Sequence, residues 1–427
     1  MKSQAFAKVA IALLGSTLLV PAAIAQNSDA PLMSVYERQR SDYDAVGVRS
    51  GSLLFKPSVD VEGKFDSNIY ASEENEVDDF IALIKPSLKL DSDWNSHSFS
   101  LFADGVIAKY SDNSGEEYTD VNLGASGRLD VTRGSSIDYS LSYSDGHEDR
   151  GSADDVGAPA APTEFSLLNA SVGFKRDEGL VSFAVEGKYA DQDFDDAELV
   201  GGGFLENDGR DRDTVSGSVR LGYHLNDEYE AFVKFAVVKV TYDDSTIEGG
   251  PRRDSDGWDA VGGVAFKLSG ASEGDFFVGY VKRDFDAASL GDVSDFKFGA
   301  SVLWAPTGLT SARLAVTRDV VETTVSAANS DGVTVAAAGT LTTTYSLRVE
   351  HELQRNLLLN ANASFSQSDY VGTVRDDDIT KAGFGAKYLM NRNIALNADY
   401  VLDKRDTTEA NQDYTRHAVM VSLTAQW

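Results

Sequence analysis

The stretch "LLFKPSVDVEGKF", Leu53–Phe65, alternates almost residue by residue. Phe55, Val59, Val61 and Phe65 share one parity, and Lys56, Ser58, Asp60, Glu62 and Lys64 take the other. Successive side chains of a strand point to opposite faces, so this is a strand with one apolar side and one charged side. The same period continues outward. "FIALIKPSLKL" sets Phe80, Ala82, Ile84, Leu88 and Leu90 against Lys85, Ser87 and Lys89. "TDVNLGASGRLDVT" sets Val121, Leu123, Ala125, Leu129 and Val131 against Asp120, Asn122, Ser126, Arg128 and Asp130.

Eighteen such segments follow one another, centred near residues 59, 85, 103, 125, 140, 170, 185, 219, 234, 264, 279, 300, 315, 346, 361, 384, 398 and 421. Sixteen is the nearest alternative count, because both faces are mixed near 279 and 315. An even number returns the last strand to the side where the first began. The connections sort into two kinds. Short turns such as "LNDE" (Leu225–Glu228), "LQRN" (Leu353–Asn356) and "MNRN" (Met390–Asn393) alternate with long polar loops such as Asp145–Glu164 and Asp191–Arg212. A soluble sandwich has no reason to segregate its connections to opposite ends, and about 400 residues without a linker exceed one sandwich. A transmembrane barrel does segregate them, with short turns to the periplasm and long loops outside. The pattern therefore predicts an all-β fold: a closed antiparallel transmembrane β-barrel over residues 51–427, closed because no strand edge can stay unpaired in hydrocarbon.

Residues 1–25, "MKSQAFAKVAIALLGSTLLVPAAIA", have a basic start, an apolar run too short to span a bilayer and small residues at the close, and read as a signal peptide. Residues 26–50 read as a polar periplasmic leader, with tucking into the lumen as the lesser alternative. They are too few for a folded plug. The chain has no cysteine, which excludes disulfides and thiolate chemistry. Its net charge of -30 argues against nucleic acid as a partner. Five scattered histidines show no metal-ligand spacing, so no cofactor or metal is expected. His147 in "DGHEDR" is the one candidate for a barrel-hydrolase triad, and an exposed loop histidine is the plainer reading, so the chain is not expected to be an enzyme.

Charge placement sharpens the picture. The loop Asp66–Asp79 holds six acidic residues and no basic one, and the other long loops are also acidic. The polar faces of the strands mix signs, which a watery lumen tolerates and lipid does not. The candidate pore-lining residues are Lys56, Lys85, Lys89, Arg128, Lys188, Arg220, Lys234, Lys267, Lys297, Arg313, Arg348, Asp104, Asp120 and Glu186. Trp94, Trp258, Trp304 and Trp427 fall at strand ends, where an interfacial aromatic girdle belongs.

"VGVRSGSLLFKPSVDVEGKFDSNIYAS", "DFIALIKPSLKLDSDWNSHSFSL" and "LGASGRLDVTRGSS" resemble the second putative β-barrel porin family of Gram-negative outer-membrane proteins. The likeness rests on Gly51-Ser52, Pro57, Asp66-Ser67-Asn68-Ile69, Asp79-Phe80, Pro86 and Ser92-Asp93-Trp94, and implies an outer-membrane barrel with a porin-like role. The expected function is passive diffusion of small hydrophilic solutes. A conduit for exported polysaccharide and a non-conducting scaffold or adhesin barrel are the alternatives. Expected partners are outer-membrane lipid and lipopolysaccharide, and the barrel-assembly machinery, which would recognise the closing strand "HAVMVSLTAQW". A homotrimer is compatible with the apolar faces, and both termini are expected in the periplasm.

Overall fold

The computed structural model describes residues 32–154, 159–243, 251–268 and 270–427. The segment read as a signal peptide lies outside the described residues. Eighteen strands form the wall. They are β1 (Leu53–Asp66), β2 (Asp79–Ser92), β3 (Ser98–Tyr110), β4 (Tyr118–Thr132), β5 (Ser135–His147), β6 (Glu164–Glu178), β7 (Val181–Phe194), β8 (Arg212–His224) and β9 (Tyr229–Tyr242). The ring continues with β10 (Ser255–Leu268), β11 (Ser272–Phe285), β12 (Val293–Thr307), β13 (Thr310–Val321), β14 (Thr340–Gln354), β15 (Leu357–Tyr370), β16 (Asp376–Leu389), β17 (Ile394–Thr407) and β18 (Tyr414–Gln426). Each pairs antiparallel with its neighbours in sequence, and β1 pairs with β18 from Ser58↔Gln426 to Asp66↔Ala418, which closes the ring. The count of eighteen and every expected centre agree with the structure.

Strands of twelve to fifteen residues, at about 3.3 Å per residue and a tilt of about 40°, rise about 30–38 Å, enough to carry an apolar band of about 25 Å. The apolar parity of each strand faces outward and stays exposed: Val61, Phe80, Leu123, Val172, Val233, Phe276, Phe296, Phe384 and Val421 belong to it. The charged parity faces in. An open sheet of this composition would leave edges unpaired in lipid, and the ring removes them.

The seam shows how the edge of β1 is completed. β18 reaches down only to Ser58, and the N–H of Trp427 then donates to the Pro57 carbonyl at 3.2 Å. Below that point a three-residue strand, Val48–Ser50, takes over and pairs with Leu53–Phe55. Pro57 therefore stands where one partner ends and the other begins, the place where a missing N–H costs least. The wall thus starts at Val48 rather than at residue 51.

Inward packing alternates large and small. Phe232, Gly263, Phe277 and Gly299 sit directly opposite one another across β9–β12. A Cβ on Gly299 would come within 2.5 Å of the Phe277 ring, so the glycine is the groove in which the ring lies. Gly299→Val should therefore destabilise the barrel by about 1–3 kcal/mol. Gly63→Val, on the outer face with nothing within 4 Å, should be close to neutral. Urea unfolding of the refolded protein in micelles, followed by tryptophan fluorescence, would separate the two.

Candidate functional site

The functional element of a barrel is its lumen, and here two segments of chain occupy it. The first is the connection after β5. Gly151 lets it pass close to Tyr414, since a Cβ there would lie 2.6 Å from the phenol oxygen. Just before it, Asp149 accepts two hydrogen bonds from the Arg416 guanidinium of β18, both at 3.0 Å. Arg416 also donates to Asp403 of β17 at 2.9 Å, and Lys381 of β16 reaches the same carboxylate at 3.1 Å. Arg405 of β17 is aimed at the carbonyl of Gly151 at 3.4 Å. Four strands, β1–β4, separate β5 from β18 around the wall, so the loop spans the lumen as a chord.

Its onward course reaches the far side. Thr323, just after β13, donates to Asp154 at 2.9 Å, and Ala153 packs against Val325, Ala337 and Tyr370. β5 and β13 stand nearly opposite in a ring of eighteen. The connection after β13 folds in to meet the loop, held by Arg253, which donates to the carbonyls of Thr323 at 2.6 Å and Ala337 at 3.0 Å. The loop after β7, Asp195–Asp211, braces the crossing from one side through Arg210 to Glu148 at 2.7 Å. Arg150 grips Glu116 with two bonds, at 2.8 and 2.7 Å. Bidentate guanidinium–carboxylate pairs fix position as well as charge, so this is a held bridge of chain. Of the two long loops Asp145–Glu164 and Asp191–Arg212, the first crosses the lumen and the second supports it.

The second segment is the stretch expected as a polar leader. From Leu32 onward it lies along the inward face at the short-turn end. The Val35 N–H donates to Ser311 Oγ at 2.8 Å and the Tyr36 N–H to Glu350 at 2.9 Å. Arg40 pairs with Glu352 at 2.8 Å, and the Asn360 amide donates to the Tyr36 hydroxyl at 3.1 Å. Val35 is fully buried against Leu358, Leu389 and Ala395, with Tyr36 and Tyr43 beside them.

Over residues 40–427 the chain matches the model of the family described as "Putative beta-barrel porin 2". The chain belongs to this family. It is a porin-type β-barrel of the bacterial outer membrane. Among solved structures it is similar to OpdK of Pseudomonas aeruginosa, crystallised with vanillate, at 11% identity and TM-score 0.41, covering 87% of this chain and 99% of that one. It is similar also to OccAB2 of Acinetobacter baumannii, at 12% identity and TM-score 0.45, covering 88% and 99%. The ferric enterobactin receptor PfeA of Pseudomonas aeruginosa, in a mutant form, is similar at 8% identity and TM-score 0.47, covering 87% and 80%. No curated protein matches.

In this porin all fourteen residues expected to line the pore project on the parity opposite the apolar band. Register places cations directly opposite one another three times: Lys56↔Lys89, Arg220↔Lys234 and Arg313↔Arg348. Carboxylates relieve each pair. Asp91 takes Lys56 at 3.1 Å and Lys89 at 3.3 Å, and Glu230 takes Arg220 through two bonds of 2.9 and 2.8 Å. Glu350 takes Arg348 at 2.7 Å, and Glu37 of the inserted leader lies 3.7 Å from Arg313. Lys85 pairs with Glu62, Arg128 with Asp130, Lys188 with Glu186, and Lys297 with both Asp259 and Asp319. Lys234 has no carboxylate partner among the described residues. Asp104 faces Asn122 across β3–β4, and Lys267 projects inward near the short-turn end of β10.

Trp258 stacks in an outer row, 6.3 Å from Phe235 and 6.2 Å from Tyr280, with Phe296 beyond. Trp94, Trp304 and Trp427 are half-exposed at the opposite rim. His147, placed in an exterior loop by its sequence context, instead ends β5, with its Nδ1 2.8 Å from Asp120 and its ring on Tyr118. No group of three metal-ligating side chains occurs among the described residues.

Sequence reasoning missed Arg416, Asp403, Val35 and Tyr36. Asp149 and Arg416 are 267 positions apart, and no local pattern announces such a pair.

Two acids in the loops carry opposite shifts. Burial alone would raise the Asp149 carboxyl, but the Arg416 guanidinium overrides it and holds the group well below the usual carboxylate range. Its contribution is present above the ordinary carboxylate pKa and is lost only in strong acid. Asp211 is pushed up to about 6, first by burial and then by Asp193, Asp208 and Asp243, against a hydrogen bond from Phe194. Here the folded state holds its proton longer than the unfolded chain does, so stability falls as pH rises from about 4 through 6. Hydrogen-exchange protection of the Asp195–Asp211 loop, with the intrinsic exchange rates divided out, should accordingly be higher at pH 5 than at pH 7.5, a difference that Asp211→Asn removes. Asp149→Asn, by contrast, should loosen the crossing loop at every pH above 4. Arg416 then keeps Asp403 as its one carboxylate, so the cost stays below the about 3–5 kcal/mol of a wholly unpaired buried charge, and limited proteolysis after Arg150 should accelerate.

Proposed function

We propose that this porin is a passive diffusion channel for small hydrophilic solutes, with its short turns and both chain ends in the periplasm and its long loops at the cell surface. One observation carries the reading: the wall is apolar outside and ion-paired inside, and the chord from Asp149 to Arg416 and from Asp154 to Thr323 divides the passage. A ring of eighteen strands leaves an aqueous path unless something fills it. The held chord sets the size of solute that passes. It also weighs against a path wide enough for an exported polymer, and a scaffold or adhesin would have no use for it.

Charge sets the preference. At least nine of the eleven candidate lumen cations sit in ion pairs, so the basic excess of the lumen is largely neutralised. The acidic loops then dominate the approach, and cations are enriched at the outer mouth at ionic strengths where the Debye length is about 10 Å or more. The closing strand, ending at Trp427, would be the element that the barrel-assembly machinery reads, and a homotrimer would bury part of the apolar wall.

In a planar bilayer the refolded protein should give single-channel steps proportional to bulk salt, with a reversal potential favouring cations that collapses toward zero as salt rises. Arg416→Ala should enlarge the steps by releasing the chord. Silence across many insertions, both of the full chain and of the folded chain lacking residues 26–46, would overturn the reading.

A further inference from the structure

The inserted leader is not a passive filling. Its contacts run along the inward rim from β11 to β18 and fall on seven of those eight strands: Glu273 of β11 accepts from the Leu32 N–H at 3.3 Å, and Gln426 of β18 donates to the Tyr43 carbonyl at 3.2 Å. Between these ends it touches β13, β14, β15, β16 and β17 through Ser311, Glu350, Leu358, Leu389 and Ala395. Arg392, in the turn before β17, donates to the Ser41 carbonyl at 3.1 Å. Among the described residues, these contacts all fall on β11–β18 and the turns between them, and none of them on β1–β10. The strap therefore narrows one side of the short-turn mouth, downstream of the loop chord.

The manner of attachment matters. Its backbone makes no ladder with the wall. Leu32, Val35 and Tyr36 spend their N–H groups on single side-chain acceptors, and two acid–base contacts, Arg40–Glu352 and Glu37–Arg313, add to them. Each such bond is worth about 0.5–1.5 kcal/mol net, and all of these groups can be rehydrated on release. Single side-chain donors from Asn360, Arg392 and Gln426 and one small apolar cluster built on Val35 complete the attachment. The chain then turns into the wall at Gly47, whose φ of +75° is a conformation other residues adopt with strain, so the strap has a defined pivot just before Val48. An element held by few, separable contacts at one end and covalently fixed at the other is bistable.

We propose that residues 32–46 form a tethered gate at the periplasmic mouth, seated in the lumen in the closed state and swung out about Gly47 in the open one. The proposal rests on the reading of the barrel as a pore. Seated, the strap offers Glu37 to Arg313, so release also frees that guanidinium for the passing solute, while Arg348 keeps Glu350.

Two measurements test it. The mature chain lacking residues 26–46, checked for folding by its heat-modifiable mobility, should conduct with a main level about two-fold above the full chain, since width sets conductance. Val35→Asp, which places a carboxylate in the apolar seat beside Glu350, should show transitions between the two levels. If the full chain is silent and the shortened chain conducts, the gate is closed at rest and the proposal stands. Equal levels for all three folded proteins would overturn it while leaving the pore intact. Silence of all three would overturn both. The second measurement needs no current. Because the chain has no cysteine, Val35→Cys and the exposed Asp42→Cys can each be titrated with a membrane-impermeant maleimide. Val35→Cys should react at least tenfold more slowly than Asp42→Cys, at a rate that Ser311→Ala raises. Equal rates would mean that the strap is never seated.

Discussion

Hydrocarbon offers no hydrogen bonds, and from that single fact most of this structure follows. Every backbone N–H and C=O at membrane depth must find a partner in the wall, so the sheet must close. Closure joins β1 to β18 and forces the alternation seen in each strand, because one face then meets lipid and the other meets water. The same demand explains the handling of β1's lower edge. Where β18 runs out at Gln426, Val48–Ser50 takes its place, and Pro57 occupies the junction.

Once closed, the wall encloses a space in which charges are cheap, and the chain uses that space to build with ion pairs. Lysine and arginine on the lipid face near midplane would cost about 2–4 kcal/mol each. On the inner face they meet carboxylates instead, even where register sets two cations side by side, as at Arg313 and Arg348. Partly exposed pairs of this kind contribute about 0–1 kcal/mol apiece, so they position side chains more than they stabilise the ring. The buried pair of Asp149 and Arg416 is different, because it fastens a loop that has no ladder of its own.

Period-two alternation made the wall legible in the sequence, because in a lipid-exposed barrel that alternation is the fold. Phe55, Val59 and Val61 against Lys56, Asp60 and Glu62 already state which way each side chain points. The strand ends were less visible. Lys175–Glu178 is charged throughout yet continues β6, because above and below the bilayer a strand keeps its ladder without needing an apolar face. What fills the lumen could not be read locally at all. Asp149 finds Arg416 and Val35 finds Ser311 across 267 and 276 positions, and polar loop residues carry no periodicity that would point to such partners. The acidic and basic residues of "DGHEDRGS" instead suggested a loop turned toward solvent.

The seam between β1 and β18 has a consequence in time. Ser58 and Gln426 become neighbours only after all the strands between them exist, across a sequence separation of 368 residues. Until then β1 and β18 both present bare edges, and no subset of hairpins is itself a closed object. Contacts this distant form slowly, so the rate at which the barrel matures is governed by its last pairing. Damage to those nine seam positions should therefore act on how many barrels are finished, while those that do finish keep the same lumen.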